Sequence, residues 1–376
     1  MTSLLPDIDP DGLLEYSVVF TDRSLNHMSQ TFQQVMKDIS SNLKEVYNAA
    51  AVVVVPGGGT YGMESVARQF ATGRKCLVIR NGFFSFRWSQ IIDMGSLTDE
   101  TTVMLARQSA AGPQAPFAPP AIEDVTATIR SEKPDVVFAP HVDTSSGIIL
   151  PDEYLRAVAD AVHQHGGLFV LDCVASGCVW VDMKASGVDV LITAPQKGWS
   201  SSPCGALVML GENALVRVGE TTSSSFACDL RKWLDIMRAY EGGGHAYHAT
   251  LPTDALKTFR DNMVETCSHG LEAMREKQWR LGKKVRALLE SRGFKSVADE
   301  CYQAPGVVVY YTDDPEIQNG SKFLSLGLLI AAGVPLMCDE PADFRSFRIG
   351  LFGLEKLRDT DRAVAPLAEA LNRISA

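Results

Sequence analysis

What most constrains this chain is a series of short β-branched and aliphatic runs, each followed by a stretch with helical spacing. Ala51-Val-Val-Val-Val55, Lys75-Cys-Leu-Val-Ile79, Asp135-Val-Val-Phe138, 167–171, 189–193 and 205–210 all read as strands. Their apolar residues are consecutive, not alternating, so both faces of each strand must be buried. Helical patterns lie between them, at 26–48, from the glycines after 56 to about Gly73, and at 152–165. Strands of this kind separated by helices form a mostly parallel sheet covered on both sides. The expected class is α/β. Further along, 211–245 is helical and loop-rich, and 252–292 holds long helices. Gly306–Tyr311 and Ser346–Leu351 read as strands and 358–374 as a helix. This predicts an N-terminal arm at 1–20, a large domain at 21–259 and a smaller α+β domain at 260–376.

The charge balance narrows the partners. With 376 residues, net charge −10 and no Lys/Arg run, the chain is not expected to bind nucleic acid or an anionic membrane. No stretch has the length and apolarity of a membrane span, and the N-terminus lacks the basic start and apolar core of a signal peptide. The eight cysteines are scattered, with no CxxC pair. That spacing predicts no metal site and a reducing, cytoplasmic compartment. Any anionic ligand must therefore be held by a few local cations, not by the general field.

Two chemical signals stand at strand ends. Asp172 closes the run Gly167-Leu-Phe-Val-Leu-Asp172, and Lys197 closes Asp189-Val-Leu-Ile-Thr-Ala-Pro-Gln-Lys197. A carboxylate and a lysine so placed are what pyridoxal phosphate chemistry requires: an amine to form a Schiff base, and an acid to hold the pyridine nitrogen protonated. Gly57-Gly-Gly-Thr-Tyr-Gly62 follows a strand and opens a helix, a place suited to a phosphate. It also matches G-x-G-x-x-G, the dinucleotide pattern. The next strand, however, ends Ile79-Arg80-Asn81 with no acid for a ribose. Arg80 leaves an NADP reading open.

Six motifs in order resemble the class V aminotransferases, of pyridoxal phosphate fold type I. The group most similar comprises the alanine–glyoxylate, serine–pyruvate and 2-aminoethylphosphonate–pyruvate enzymes, and the resemblance covers about 25–370. The motifs are Gly58-Gly59-Thr60, Asn81-Gly82-Phe83-Phe84, His141-Val-Asp-Thr-Ser-Ser-Gly147, Asp172-Cys-Val-Ala-Ser176, Thr193-Ala-Pro-Gln-Lys-Gly198 and Phe347-Arg-Ile-Gly-Leu351. The resemblance implies that Gly58, Gly59, Thr60 and Gln196 hold the cofactor phosphate and that Phe84 stacks on its ring. Thr144, with Ser145 next, would bond the ring or its oxygen. Asp172 would meet the pyridine nitrogen, Val174 would lie beneath the ring, Lys197 would form the Schiff base, and Arg348 would clamp a substrate carboxylate. Asp143 stands where the family usually has Glu. Tyr247-His-Ala-Thr-Leu-Pro252 resembles a segment whose Tyr and Thr reach the partner subunit's phosphate, which implies a homodimer sharing Tyr247 and Thr250.

The function so implied is ping-pong transfer of an amino group from alanine, serine or 2-aminoethylphosphonate to pyruvate or glyoxylate. Arg23 and Arg87 are candidates for a second anionic group on the donor, though each alone reads as a solvated surface residue. The competing readings are a class V lyase with Cys338 as a desulfurase-like nucleophile, an NADP-dependent oxidoreductase using Gly57–Gly62, and a non-catalytic binding module.

Overall fold

The structure is a computed structural model that describes Asp11 and residues 13–374. Most of the expected arm at 1–20 thus lies outside the described residues, and 13–20 form neither helix nor strand.

The consecutive apolar runs form one seven-stranded sheet. Its strands are β1 (Ala51–Pro56), β2 (Cys76–Arg80), β3 (Thr101–Leu105), β4 (Val136–Pro140), β5 (Leu168–Asp172), β6 (Val190–Thr193) and β7 (Gly205–Leu210), in the spatial order β1-β7-β6-β5-β4-β2-β3. Pairings among β3, β2, β4, β5 and β6 are parallel, and β7 runs antiparallel to both β6 and β1. One reversed strand within an otherwise parallel sheet gives the α/β class expected. All positions of β2 but Arg80, and all of β4, β5, β6 and β7, are buried, as consecutive apolar residues require.

Helices cover the sheet because each has one apolar stripe. Helix α1 (Gln30–Tyr47) starts at Ser29, whose hydroxyl accepts from the Phe32 N–H, and buries Phe32, Val35, Met36, Ile39 and Leu43. Helix α2 (Gly59–Phe70) lies on β6 and β7. The contact is close enough that a Cβ on Gly62 would come within 2.6 Å of the Ala206 side chain. Helix α3 (Phe83–Met94) follows β2 and packs on it and on β4.

A second sheet, β8 (Val307–Tyr311), β9 (Ala331–Ala332) and β10 (Ser346–Gly350), has the order β8-β10-β9 and is antiparallel. It shares a separate apolar core with the helices Leu271–Glu290 and Thr360–Ile374. The helix Thr253–Ser268 runs through the expected domain boundary at 259/260. A third apolar cluster, including Ala175, Val179, Val307, Val309 and Leu336, packs the two halves together beside the carboxyl ends of β4 and β5. Among the described residues no helix is long and apolar enough to cross a membrane.

At the other end of the sheet, Asp189 ties β5 to β6. Its carboxylate accepts from the Phe169 N–H at 2.8 Å and from Asn213 Nδ2 at 3.1 Å, and pairs with His163 Nε2 at 2.7 Å. The hydrogen bond to Asp189 holds the His163 pKa above its usual value, against partial burial. A raised folded-state pKa means that the pair stabilises fully below the unfolded pKa of about 6.5, and that this is lost as pH rises through the folded value. His163→Gln should therefore lower the melting temperature by roughly 1–2 °C at pH 6, and the difference should shrink toward pH 9. A difference that stays constant across that range would contradict the pairing.

Candidate active site

In a parallel sheet the loops that leave the carboxyl ends converge, and a crevice forms there. The ends of β1, β2, β4, β5 and β6 do this, around a cleft of about 200 Å³. Gly59 and Thr60 reach it from the loop after β1, Phe84 and Arg87 from α3, Thr144 from the turn after β4. Asp172 and Val174 come from the end of β5, and Gln196 and Lys197 from the turn after β6. The structure thus brings together most residues singled out in the sequence. Arg348, on β10, is within reach of the same group. Its guanidinium carbon lies 5.5 Å from the Phe84 ring centroid, and its Nε donates to the Ala332 carbonyl at 2.8 Å. Tyr247 and Thr250 do not line this chain's cleft. They are exposed and bonded to each other, Tyr247 Oη to Thr250 Oγ1 at 3.1 Å.

The glycine loop has a steric cause. A Cβ on Gly59 would lie 2.6 Å from Val174 Cγ2, so the loop rests directly on the turn after β5. A Cβ on Gly58 would meet nothing within 4 Å, so the loop's outer side is open. Gly58 caps α2 in an extended conformation, and no side chain caps the helix. The first amides of α2 are thus left to a ligand or to water. Close by, Gln196 Oε1 is buried with no protein partner.

The segment 81–87 is locked by Asp143, which is fully buried. One carboxylate oxygen accepts from the Ser85 N–H at 2.8 Å and the Ser85 hydroxyl at 2.7 Å. The other accepts from the Ser145 N–H at 3.0 Å and the Ser145 hydroxyl at 2.6 Å. Ser145 Oγ in turn accepts from the Phe83 N–H at 2.7 Å. Ser145 is therefore committed to the scaffold, while its neighbour Thr144 faces the cleft. The glycine in Asn-Gly-x-Phe follows from the same contact: a Cβ on Gly82 would sit 2.1 Å from Ser145 Oγ and 2.5 Å from Asp143 Oδ1.

Asp172 is 7% exposed and accepts from the Val174 N–H at 2.9 Å. Burial pushes its carboxyl up to about 6; the Val174 N–H opposes this, Asp143 adds to it and Arg87 offsets it. Lys197 Nζ lies 4.9 Å from the Phe352 ring centroid, and burial, then Arg348, pull its pKa below the usual lysine value. Both shifts favour the neutral form. His141 is buried with Nδ1 2.7 Å from Ser176 Oγ, and burial holds its pKa down to about 3. It is a neutral strut of the 172–176 turn.

Several contributors were not named from the sequence. Ser85, Met63 and Phe352 carry only small-residue or core signals when read singly. Arg87, which alone reads as a surface residue, is half-buried in the cleft. Arg23 is exposed. Arg80 is engaged elsewhere, donating to the Met337 carbonyl at 3.1 Å and to Ser89 Oγ at 2.8 Å, which accounts for it without a nucleotide phosphate. Cys338 is buried, and its thiol is pushed up to about 12 by burial. A reactive desulfurase thiol needs the opposite, exposure and a depressed pKa.

A family model described as aminotransferase class-V matches residues 13–328. The chain is 27% identical over 337 residues to alanine–glyoxylate aminotransferase 1 of Saccharomyces cerevisiae, covering 83% of this chain and 82% of that one. It is 27% identical over 351 residues to a 2-aminoethylphosphonate–pyruvate transaminase of Burkholderia ambifaria, covering 91% and 88%. Among solved structures, an alanine–glyoxylate aminotransferase from Nostoc superposes with a TM-score of 0.77 at 20% identity, over 93% of this chain and 89% of that one. At that identity the likeness speaks for the fold.

Two outcomes follow from this geometry. Gly82→Ala should destabilise the protein by about 1–3 kcal/mol through overpacking against Asp143 and Ser145, whereas Gly58→Ala should leave stability nearly unchanged; urea denaturation of both variants tests the contrast. For Asp172 the raised folded pKa means that ionisation costs stability, with the cost appearing between pH 4 and 6 and persisting above. In cofactor-free protein, Asp172→Asn should therefore raise the melting temperature at pH 8 and make no difference at pH 4. A lower melting temperature at pH 8 would count against a strained buried carboxylate.

Proposed function

Because the chain belongs to the class V aminotransferase family, enzymes that depend on pyridoxal phosphate, we propose that it transfers an amino group from a small donor to a keto acid, with Lys197 as the reacting amine. The names of its relatives suggest alanine and 2-aminoethylphosphonate as donors, and glyoxylate and pyruvate as acceptors. Serine is the third donor to be tried. The observation that carries the reading is the meeting of Asp172, Lys197, Thr60 and Phe84 on one cleft.

The residues present fit the cofactor. At one end stand an uncapped helix start, an open Gly58 and the side-chain amide of Gln196, whose NH2 can donate, a donor set suited to a phosphate. At the other end stand a carboxyl and an amine. When bound, pyridoxal phosphate supplies an aldehyde that condenses with amines and a protonated ring that takes up electrons from a breaking Cα–H bond. Gly58, Gly59, Thr60 and Gln196 would hold the phosphate. Phe84 and Val174 would enclose the ring and exclude water from it, and the Thr144 hydroxyl would bond its edge. Asp172 would hold the proton on the ring nitrogen, and that positive charge would offset the burial that raises its carboxyl.

Lys197 Nζ would hold the aldehyde between turnovers. Once freed by the donor, it would take the donor's Cα proton and deliver it to the cofactor's former aldehyde carbon, so that the nitrogen stays with the cofactor. Its depressed pKa keeps more of the amine in the neutral form that can accept a proton. Among the described residues the terminal N–H groups of Arg348 have no hydrogen-bond partner while Nε is bonded to Ala332, and that fork suits a substrate carboxylate. On this reading the part after about residue 260 acts as a small domain that brings Arg348 to the cleft. Tyr247 and Thr250 would complete the partner subunit's site in a homodimer, and the two half-reactions would give ping-pong kinetics in the cytoplasm.

The test is a spectral titration. The purified protein with pyridoxal phosphate should show a visible absorption band, and one of alanine, serine or 2-aminoethylphosphonate should convert it to a near-ultraviolet band that pyruvate or glyoxylate reverses. Lys197→Ala should lower turnover by at least ~10³-fold. A protein that stays colourless with the cofactor, or a Lys197→Ala variant with undiminished turnover, would reject the proposal.

A further inference from the structure

A phosphate ester carries close to two negative charges near neutral pH. A chain of net charge −10 gives such a dianion no favourable background field. The groups assigned above to the cofactor phosphate, the start of α2 and the Gln196 amide, are dipoles without formal charge. Of the side chains lining the cleft, two are cationic, Lys197 and Arg87. Lys197 is engaged by the aldehyde end of the cofactor. Arg87 is left to balance the phosphate.

Its setting suits that task. Arg87 follows Phe84 by three residues on α3, so the two side chains share a helix face. The guanidinium carbon lies 4.7 Å from the Phe84 ring centroid, and Nη1 donates to Thr60 Oγ1 at 3.2 Å. Thr60 is the second residue of α2. The cation is therefore held at the uncapped helix start, where a phosphate would meet backbone N–H groups and the positive end of the helix dipole. Among the described residues Arg87 makes no ion pair, and its other N–H groups are uncommitted. Arg68, further along α2, is instead paired with Glu64. Asp172 lies on the same cleft and feels the charge of Arg87, but it forms no ion pair with it among the described residues, so this half-buried arginine, anchored by an aromatic face and one neutral hydroxyl, still has N–H groups to offer an anion.

We propose that Arg87 is the cation that binds the cofactor phosphate, and that it makes this protein select the phosphorylated vitamer over unphosphorylated pyridoxal. The proposal rests on the reading that the cleft holds pyridoxal phosphate. It assigns Arg87 to the cofactor and not to a second anionic group on the amino donor, because the hydrogen bond of Arg87 goes to Thr60 of the glycine loop. The Arg348 guanidinium carbon lies 5.5 Å from the Phe84 ring centroid, and Arg348 remains the cation for the donor's carboxylate.

The test compares cofactor-free wild type, Arg87→Met and Arg87→Lys in equilibrium dialysis against pyridoxal phosphate and, separately, pyridoxal. Inorganic phosphate serves as competitor, and circular dichroism verifies the fold of each variant. Loss of one charged hydrogen-bonding partner should weaken pyridoxal phosphate binding about ten- to a hundredfold in Arg87→Met and leave pyridoxal binding within about twofold. Arg87→Lys should fall between. In wild type, inorganic phosphate should compete with pyridoxal phosphate, and this competition should weaken in Arg87→Met. Equal losses for the two vitamers would overturn the proposal, placing Arg87 on the ring or in the fold. Unchanged cofactor binding with a raised KM only for 2-aminoethylphosphonate would overturn it in favour of the donor's second anion. If Arg87→Met does not fold, absence of phosphate competition in wild type rejects the proposal by itself. Wild type that binds no pyridoxal phosphate rejects the parent reading, and this is seen before any variant is compared.

Discussion

The site depends on one buried carboxylate. Asp143 has no exposed surface, yet both its oxygens are filled by N–H and O–H donors from Ser85 and Ser145. A buried charge is tolerable only when so satisfied. The consequence is geometric. The start of α3, which carries Phe84 and Arg87, is fixed to the turn that carries Thr144, and neither can move without exposing an unpaired carboxylate. The acid is one methylene shorter than the glutamate usual at this place in the family that the motif resembles. The Ser85 hydroxyl and the bare Cα of Gly82 let the two segments approach closely enough for it to reach.

The same charge reaches the chemistry. Asp143 adds to the rise in the Asp172 pKa, Arg87 opposes it, and Arg348 helps depress Lys197. Burial is the larger cause in both shifts, and it drives the acid and the amine alike toward neutrality. A depressed pKa lets the Lys197 amine give up its proton more readily, and a cation set against the raised Asp172 carboxyl would bring it back toward ionisation. The fold produces both shifts by placing the two groups at the carboxyl ends of adjacent parallel strands, β5 and β6, where Asp172 is buried and Lys197 half-buried. Stability lost at Asp172 is offset by the apolar sheet below it, whose strands are almost wholly buried.

Much of this was legible in the sequence, for a physical reason. Consecutive β-branched residues can only be buried strands, so the positions of β1, β2, β4, β5, β6 and β7 follow from composition alone. β3 carries no such signal: it begins Thr101-Thr102, and all five of its residues are only partly buried at the sheet edge, so it holds no run of buried apolar residues. The reversal of β7 was not legible either, because an apolar run has no direction. Asp172 and Lys197 were legible because their chemistry is rare at strand ends. Ser85 was not, since a serine in a helix's first turn is commonplace, and its importance lies in a partner 58 residues away. Tyr247 and Thr250 are exposed and stand apart from this chain's own cleft.

The balance of charge in the cleft gives a final reason for its arrangement. An acidic protein that binds anionic small molecules must concentrate a few cations where they are needed and deny them acidic neighbours. Asp172 and Asp143 act on Arg87 and Arg348 only at longer range: neither arginine forms an ion pair among the described residues, and both lie near the face or edge of Phe84. An aromatic ring is a weak partner, worth roughly 0.5–2 kcal/mol, so it holds a guanidinium in place without neutralising it. A carboxylate in the same position would hold the arginine more tightly and leave nothing for the ligand. Phe84 therefore has two proposed tasks, to cover a cofactor ring and to keep the two arginines available. The second does not depend on the polar atom that a tryptophan or tyrosine would add, which is why phenylalanine suffices at this position.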